Sequence, residues 1–257
     1  MEYEIVSEWV DITVDEGGGS SVMPAYLARP AAPGAYPGVV VGFEMFGVTG
    51  YVRSVADRIA RLGYTTVVPD FYHRLGDRIE LLADADGRAR GLELLQGVHR
   101  EGVVRDVRSA LGYLRERADA GPRTAMVGLS AGGHIAYYAA TQVALNAVVV
   151  FYPGWLTDTG IALSRPEPTL TLTPAIADLG SRMLFLVGAD DHLFTTGQRN
   201  QIGRHLRDAD VRHELVVYPD TPHGFFCHER DTYRPDVADD AWTRVTALLG
   251  AELTPTP

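Results

Sequence analysis

The chain has 257 residues, 46% of them hydrophobic and 22% charged, which is typical of a globular protein and excludes a disordered chain. The formal net charge is -10, and the arginines are scattered among acidic residues. Such a surface disfavours nucleic acid and anionic lipid as partners. The length permits one large α/β domain, and we expect a single domain over residues 1–257 with a frayed tail from about residue 252.

Cysteine use and hydropathy bear on cellular location. Cys227 is the only cysteine, so no internal disulfide can form, as is usual in a reducing compartment. The first residues are acidic and lack the apolar core of a signal peptide. No apolar run approaches the length that spans a bilayer. We therefore expect a cytoplasmic protein without membrane contact.

Apolar runs and amphipathic stretches alternate along the chain. Alternating apolar and polar residues predict two edge strands first, at 9–14 and 23–28. Continuous apolar runs, which suit strands buried on both faces, predict further strands at 38–43, 64–68, 124–127, 147–151, 183–187 and 214–218. Helical spacing predicts helices near 52–62, 103–114, 132–141, 197–206 and 237–249. This order predicts an α/β fold with a mainly parallel central sheet and helices on both faces.

Two long connections interrupt this alternation. Residues 74–90 are polar and are predicted to form a loop with one short helix. Residues 152–182 are rich in proline and threonine. Connections of that length are often functional lids, but an irregular surface excursion is an equal alternative.

The strongest local motif is Gly-Leu-Ser-Ala-Gly at residues 128–132. It directly follows a predicted strand and precedes a predicted helix, which is the context that a Gly-x-Ser-x-Gly nucleophile elbow requires. The sharp turn would expose the Ser130 hydroxyl at the carboxyl end of a central strand, with glycines preventing clashes across the turn. Ser130 is therefore the predicted nucleophile. The N–H of Ala131, at the helix start, is a candidate oxyanion donor.

A serine hydroxyl needs an adjacent base, and in this fold the acid and then the base follow it along the chain. His223 is the predicted base because it follows the last predicted strand in a turn-rich loop. Asp190 and Asp191 compete for the acid; Gly-x-x-Asp spacing favours Asp191, which leaves Asp190 to cap the loop or the next helix. A metal site at these aspartates and His192 is disfavoured because adjacent side chains rarely point at one ion, so no metal or cofactor is predicted.

The loop after the strand that ends at Phe43 should supply the second oxyanion N–H, and Met45 is the candidate. Here the sequence resembles the dienelactone hydrolase family. The matching stretches are Glu-Met-Phe-Gly-Val at 44–48, Pro-Asp-Phe-Tyr at 69–72, Gly-Leu-Ser-Ala-Gly-Gly at 128–133, Asp-His at 191–192 and His-Gly-Phe at 223–225. The resemblance covers about residues 25–249 and implies an α/β-hydrolase fold with activity on esters or lactones.

Two departures from the family pattern affect the expected site. The best-known members use a cysteine nucleophile paired with the loop glutamate. The residue at position 130 is serine, whose hydroxyl does not ionise as a thiol does, so a thiolate mechanism does not carry over to this chain. The candidate roles of Glu44 in this chain are then to hold the loop, to orient water, to contact substrate, or to be purely structural. Members acting on anionic lactones carry arginine four residues after the base, where Cys227 stands here. Other arginines that could bind a carboxylate are Arg74, Arg88 and Arg90. The residues expected at or next to the substrate are Phe46, Tyr72 and Trp155, together with Arg74.

These observations predict a carboxylic-ester or lactone hydrolase that forms an acyl-enzyme on a small-molecule substrate through a Ser-His-Asp triad. A thioesterase, peptidase, cyclase or lyase on the same fold remains a rival. A non-catalytic binding protein is a further alternative, disfavoured because it need not keep serine, acid and base together. A homo-oligomer is left open.

Overall fold

The computed structural model describes residues 2–253, and its strands form one eight-stranded sheet in the order β1-β2-β4-β3-β5-β6-β7-β8. β1 pairs antiparallel with β2, β2 pairs antiparallel with β4, and all other neighbouring strands are parallel. The sheet is thus mainly parallel, as the alternation predicts. The strands are β1 (Ile5–Asp15), β2 (Ser20–Pro30), β3 (Tyr36–Gly42), β4 (Thr65–Pro69), β5 (Ala120–Leu129), β6 (Ala147–Phe151), β7 (Arg182–Gly188) and β8 (His213–Tyr218).

Helices cover the sheet, and strands β4 and β6 are buried along their whole length. Arg58 of the first helix stacks on Trp242 of the last at 4.1 Å, so these two are neighbours. Arg100 of the third helix stacks on Tyr138 of the fourth at 5.3 Å, which pairs those two. The helices are α1 (Gly50–Arg61), α2 (Ala85–Leu95), α3 (Arg100–Glu116), α4 (Ala131–Ala140), α5 (Pro174–Asp178), α6 (Thr196–Asp208) and α7 (Pro235–Leu253).

The end of the chain differs from the sequence expectation. α7 continues to Leu253, whose side chain is buried, so residues 252 and 253 extend the helix instead of fraying. The apolar contact of Leu253 with the core is the physical reason. Residues 254–257 of the predicted tail lie outside the described residues. Among residues 2–253, no helix combines the length and apolarity needed to cross a membrane.

The connection between β6 and β7 is fixed to the body of the protein. It contains α5 and two short 3-10 turns. His134 Nε2 of α4 lies 2.7 Å from the Thr169 hydroxyl, and the Tyr137 hydroxyl lies 2.6 Å from that of Thr173. All four side chains are buried. Breaking buried hydrogen bonds leaves unsatisfied polar groups, so these contacts argue against a lid that opens freely.

Parallel topology determines where the predicted site lies. Strands β3, β5, β7 and β8 run parallel, so their carboxyl ends meet at one rim of the sheet. Ser130 follows β5, Asp191 follows β7 and His223 follows β8. The loop with Glu44 and Met45 follows β3. Ligands of open α/β sheets bind at such rims.

Candidate active site

Ser130 occupies a sharp turn between β5 and α4. Its φ is 54° and its ψ is -113°, a conformation that non-glycine residues rarely adopt. A Cβ on Gly128 would lie 2.0 Å from the Gly132 oxygen, and a Cβ on Gly132 would lie 2.2 Å from the Gly42 carbonyl carbon. The Ser130 N–H donates to the Phe151 oxygen at 3.0 Å. The two glycines of the motif are therefore required for the strained turn to form.

The three predicted triad side chains form a continuous hydrogen-bonded chain. Ser130 Oγ lies 3.0 Å from His223 Nε2, and His223 Nδ1 lies 2.9 Å from Asp191 Oδ2. The Asp191 side chain is fully buried, whereas the imidazole is 11% exposed. With the proton on Nδ1 facing the carboxylate, Nε2 is free to accept the serine proton. Asp190, the competing acid, is exposed to solvent.

Close packing between two loops brings the acid and the histidine together. A Cβ on Gly188, at the end of β7, would lie 1.9 Å from the Thr221 oxygen. The Asp190 N–H donates to that same oxygen at 3.0 Å. In the loop after β8, Asp220 and Gly224 on either side of the histidine have left-handed φ values of 49° and 77°. The loop thus turns sharply against the end of β7, which only a glycine at position 188 permits.

The two candidate oxyanion donors are carried by segments that are bonded to each other. Ala131 is the first residue of α4, and the N–H groups of a first helical turn have no partner within the helix. Met45 lies in the loop after β3, and its carbonyl accepts the Tyr72 hydroxyl at 3.0 Å. The Gly132 N–H donates to the Phe43 oxygen at 2.7 Å, which ties this loop to the elbow. The Tyr72 hydroxyl therefore helps to hold the Met45 loop in place.

Comparison with known proteins identifies the family. The sequence model described as "Dienelactone hydrolase family" matches residues 23–253. The chain belongs to the dienelactone hydrolase family. The predicted family resemblance, the α/β-hydrolase fold and the enzyme class, a hydrolase acting on ester bonds, are therefore confirmed.

Individual relatives agree with this family assignment. A Synechocystis protein named "Putative carboxymethylenebutenolidase" is 31% identical over 233 residues, covering 89% of this chain and 91% of that protein. A crystal structure titled "Putative Dienelactone Hydrolase" from Klebsiella pneumoniae has a TM-score of 0.82 at 28% identity, covering 96% of this chain and 99% of that one. An esterase of Pyrococcus furiosus, at 16% identity, 97% and 92% coverage and a TM-score of 0.71, shares the fold.

In this family member, Glu44 forms a buried ion pair that the sequence reasoning missed. Its Oε2 accepts Arg230 Nη2, and the guanidinium lies 4.9 Å over the Phe46 ring. Burial raises the pKa of Glu44, while the charge of Arg230 opposes that rise. The only sequence signal for this ion pair is Arg230 itself, which lies seven residues after His223, whereas the family pattern has an arginine four residues after the histidine. Phe46 and Glu44 thus lie beside the site, held together by one arginine.

Arg74, predicted near the substrate, lies elsewhere. Its Nη1 and Nη2 donate to the Asp106 carboxylate at 2.9 and 2.8 Å, and its Nε donates to Glu16 at 2.8 Å. It lines a cavity of about 860 Å³ around the start of α3, and no triad residue lines that cavity. Two carboxylates already pair with this guanidinium, so it is not free to bind a substrate carboxylate. Arg90 pairs with Glu93 on the exposed face of α2.

Trp155 belongs to the fixed connection after β6. Its backbone is left-handed, with φ 57°, and its side chain is half-buried against the core. A Cβ on Gly160 would lie 2.7 Å from the indole Cδ1, so the ring packs over that glycine. Among the described residues, these contacts make Trp155 a packed part of the connection between β6 and β7.

Two small adjoining clefts lie near His223 and Glu44. One, of about 350 Å³, contains His223 and Arg230 together with Ala83, Arg88, His192, Pro222, Glu229, Asp231 and Thr232. The other, of about 250 Å³, contains Glu44 and Phe46 together with Thr49, Gly50, Tyr51, Glu80, Leu81, Leu82, Ala83, Cys227 and Glu229. Both include Ala83 and Glu229, so they adjoin. The Glu44–Arg230 pair lies between them, one partner in each, and Cys227 occupies the second cleft with its side chain buried.

Proposed function

We propose that the chain hydrolyses small carboxylic esters or lactones through an acyl-enzyme on Ser130, with His223 as general base and Asp191 as the acid of the triad. The observation that carries this proposal is the chain of two contacts, 3.0 Å from Ser130 Oγ to His223 Nε2 and 2.9 Å from His223 Nδ1 to Asp191 Oδ2. Such a chain activates a hydroxyl that is otherwise a weak nucleophile.

The first half of the reaction acylates the serine. Ser130 Oγ attacks the carbonyl carbon and its proton passes to His223 Nε2. The N–H groups of Met45 and Ala131 stabilise the resulting oxyanion, and loss of one such donor typically lowers kcat by roughly 10²–10³. The carbon–oxygen bond to the leaving group then breaks, and that oxygen takes the proton from His223.

The second half releases the acid. Water attacks the acyl carbonyl, and His223 takes one of its protons. Collapse of the second tetrahedral intermediate breaks the bond to Ser130 Oγ, which regains a proton from His223. For a lactone, the alcohol and acid leave as one molecule. Asp191 stabilises the imidazolium in both halves without being protonated itself.

Substrate size follows from the two clefts near His223 and Glu44. At about 350 and 250 Å³, each cleft suits a small molecule rather than a polypeptide segment. Relatives named carboxymethylenebutenolidase point to a lactone as one substrate class. We also propose that residues 2–253 act as one domain, since all eight strands belong to one sheet.

The test is hydrolysis of p-nitrophenyl acetate by Ser130→Ala. We expect kcat to fall by at least about 10³, with unchanged circular dichroism, because no other group supplies the nucleophile. Ser109→Ala, a hydroxyl removal on α3, is the matched control and should keep full activity. Turnover by Ser130→Ala close to that of the control would refute the proposal. A panel of esters, thioesters and lactones with the native enzyme then ranks the bonds it cleaves.

A further inference from the structure

Tyr152, which none of the sequence motifs includes, has a strained backbone next to the triad. It is the first residue after β6, and its φ is 34°, in the left-handed region that favours glycine. Its side chain is completely buried. Such strain persists only where surrounding contacts hold it, and it concentrates at functional sites. The contacts of Tyr152 therefore indicate which part of the site its strained backbone helps to position.

The ring of Tyr152 packs against the loop that carries the histidine. Its centroid lies 4.9 Å from that of His223 at an interplanar angle of 66°, and 5.2 Å from that of Phe225 at 74°. Both are edge-to-face contacts, the arrangement that aromatic rings prefer. Because the two partners flank Gly224, the phenol contacts the loop on both sides of its left-handed turn.

The backbone N–H and the side-chain hydroxyl of Tyr152 lie against two further parts of the site. Its N–H donates to the Leu186 oxygen at 2.7 Å, on β7, the strand that leads to Asp191. Its hydroxyl lies in a buried group with the Tyr51 hydroxyl and Glu44 Oε1, and none of these three atoms has a hydrogen-bond partner of ordinary geometry within residues 2–253. Burial and the carboxyl of Glu44 raise the pKa of both phenols, so both remain neutral donors beside an acceptor oxygen.

We propose that Tyr152 is a positioning residue for His223, whose imidazole its ring holds in line between Ser130 and Asp191. This inference rests on the proposed role of His223 as general base. The backbone of Tyr152 is anchored to β7 by its N–H, and its fully buried ring is packed against both His223 and Phe225, which restricts how far the ring can turn away from the imidazole. Without the ring, the imidazole gains the space to rotate out of line, and small displacements of this kind cost rate at the chemical step.

The experiment compares Tyr152→Phe, Tyr152→Met and Tyr152→Leu in p-nitrophenyl acetate hydrolysis. Phenylalanine keeps the ring, so we expect kcat within about threefold of the native enzyme; methionine and leucine remove it, and we expect kcat to fall at least about tenfold with KM changed less than threefold. Tyr36→Leu, a buried tyrosine at the opposite end of the sheet, is the control for lost packing and should keep its kcat.

A second readout separates positioning from general loosening. The rate at which a fluorophosphonate labels Ser130 should fall in parallel with kcat in the methionine and leucine variants, while the phenylalanine variant recovers it. Full kcat in Tyr152→Met, or a loss in Tyr152→Phe as large as in Tyr152→Leu, would overturn the inference. If the leucine variant does not fold, the methionine variant decides. Ser130→Ala is run alongside: if that variant stays active the proposed function fails, whereas if only Tyr152 proves neutral this inference fails alone.

Discussion

Replacing Asp191 with asparagine changes one atom of the triad and isolates the role of the acid. In the native enzyme Oδ1 accepts the Leu193 N–H at 2.9 Å and Oδ2 faces His223 Nδ1 at 2.9 Å. An amide oxygen can satisfy only one of these two donors. The Leu193 N–H is a fixed backbone donor, so we expect the oxygen to turn to it and the NH₂ group to face the imidazole.

The consequence is a change of tautomer at His223. An NH₂ group facing Nδ1 requires that nitrogen to accept, which moves the ring proton to Nε2, where it prevents acceptance of the Ser130 proton. A wrong tautomer in a triad of this kind lowers kcat by about 10⁴. At about 1.36 kcal/mol for each factor of ten, this is a barrier increase of roughly 5.4 kcal/mol.

The assay is kcat for p-nitrophenyl acetate hydrolysis, with Asp190→Asn as the matched control. Asp190 is the exposed neighbour, so its variant should stay within about twofold of the native enzyme, as surface substitutions usually do. A loss below about tenfold in Asp191→Asn would refute the tautomer reasoning. A larger loss in Asp190→Asn than in Asp191→Asn would instead exchange the roles of the two aspartates.

Two further changes test how the site is built. Gly188→Ala places a Cβ 1.9 Å from the Thr221 oxygen, so the loop that carries His223 must shift. We therefore expect kcat to fall by about 10² and Tm to be lower. Activity equal to that of the native enzyme would show that this close approach does not position His223. Arg230→Gln leaves Glu44 buried without its partner, at a cost of about 3–5 kcal/mol when that carboxyl is ionised. Because burial raises the folded-state pKa of Glu44 above its unfolded value, the contribution of this group is favourable at low pH and is lost as pH rises through the folded value. The Tm deficit of Arg230→Gln should therefore be larger at pH 8 than at pH 5, and a thermal melt series showing the reverse would contradict this assignment.

The central sheet was predictable because its strands are continuous apolar runs. One of the least accurate boundaries is the start of β5, where Ala-Gly-Pro-Arg at 120–123 carries no apolar pattern. Ala120 is in the strand only because Tyr36 lies opposite it, with a register shift before Gly38. Pairing of that kind depends on a distant segment and leaves no trace in the local sequence.

The same distinction applies to the site. That Ser130, Asp191 and His223 lie together at one rim could be predicted because each follows a predicted strand, and glycine marks the tight turns around them. The partner of Glu44 could not be predicted, because Arg230 lies 186 positions away along the chain and its pairing depends on how two loops fold over one rim. The contact of Tyr152 with His223 was missed for a related reason, since nothing in the local sequence distinguishes this tyrosine from any other core aromatic.

The buried position of Cys227 has a practical consequence for chemical proteomics. Burial raises the pKa of its thiol to about 12, so at neutral pH almost none is present as the reactive thiolate. It is also the only sulfhydryl in the sequence. Electrophiles that normally alkylate cysteines should therefore leave Cys227 unmodified, and mild oxidants should spare its thiol. Mass spectrometry of covalent adducts can therefore test the proposed nucleophile Ser130 without prior alkylation of the sample.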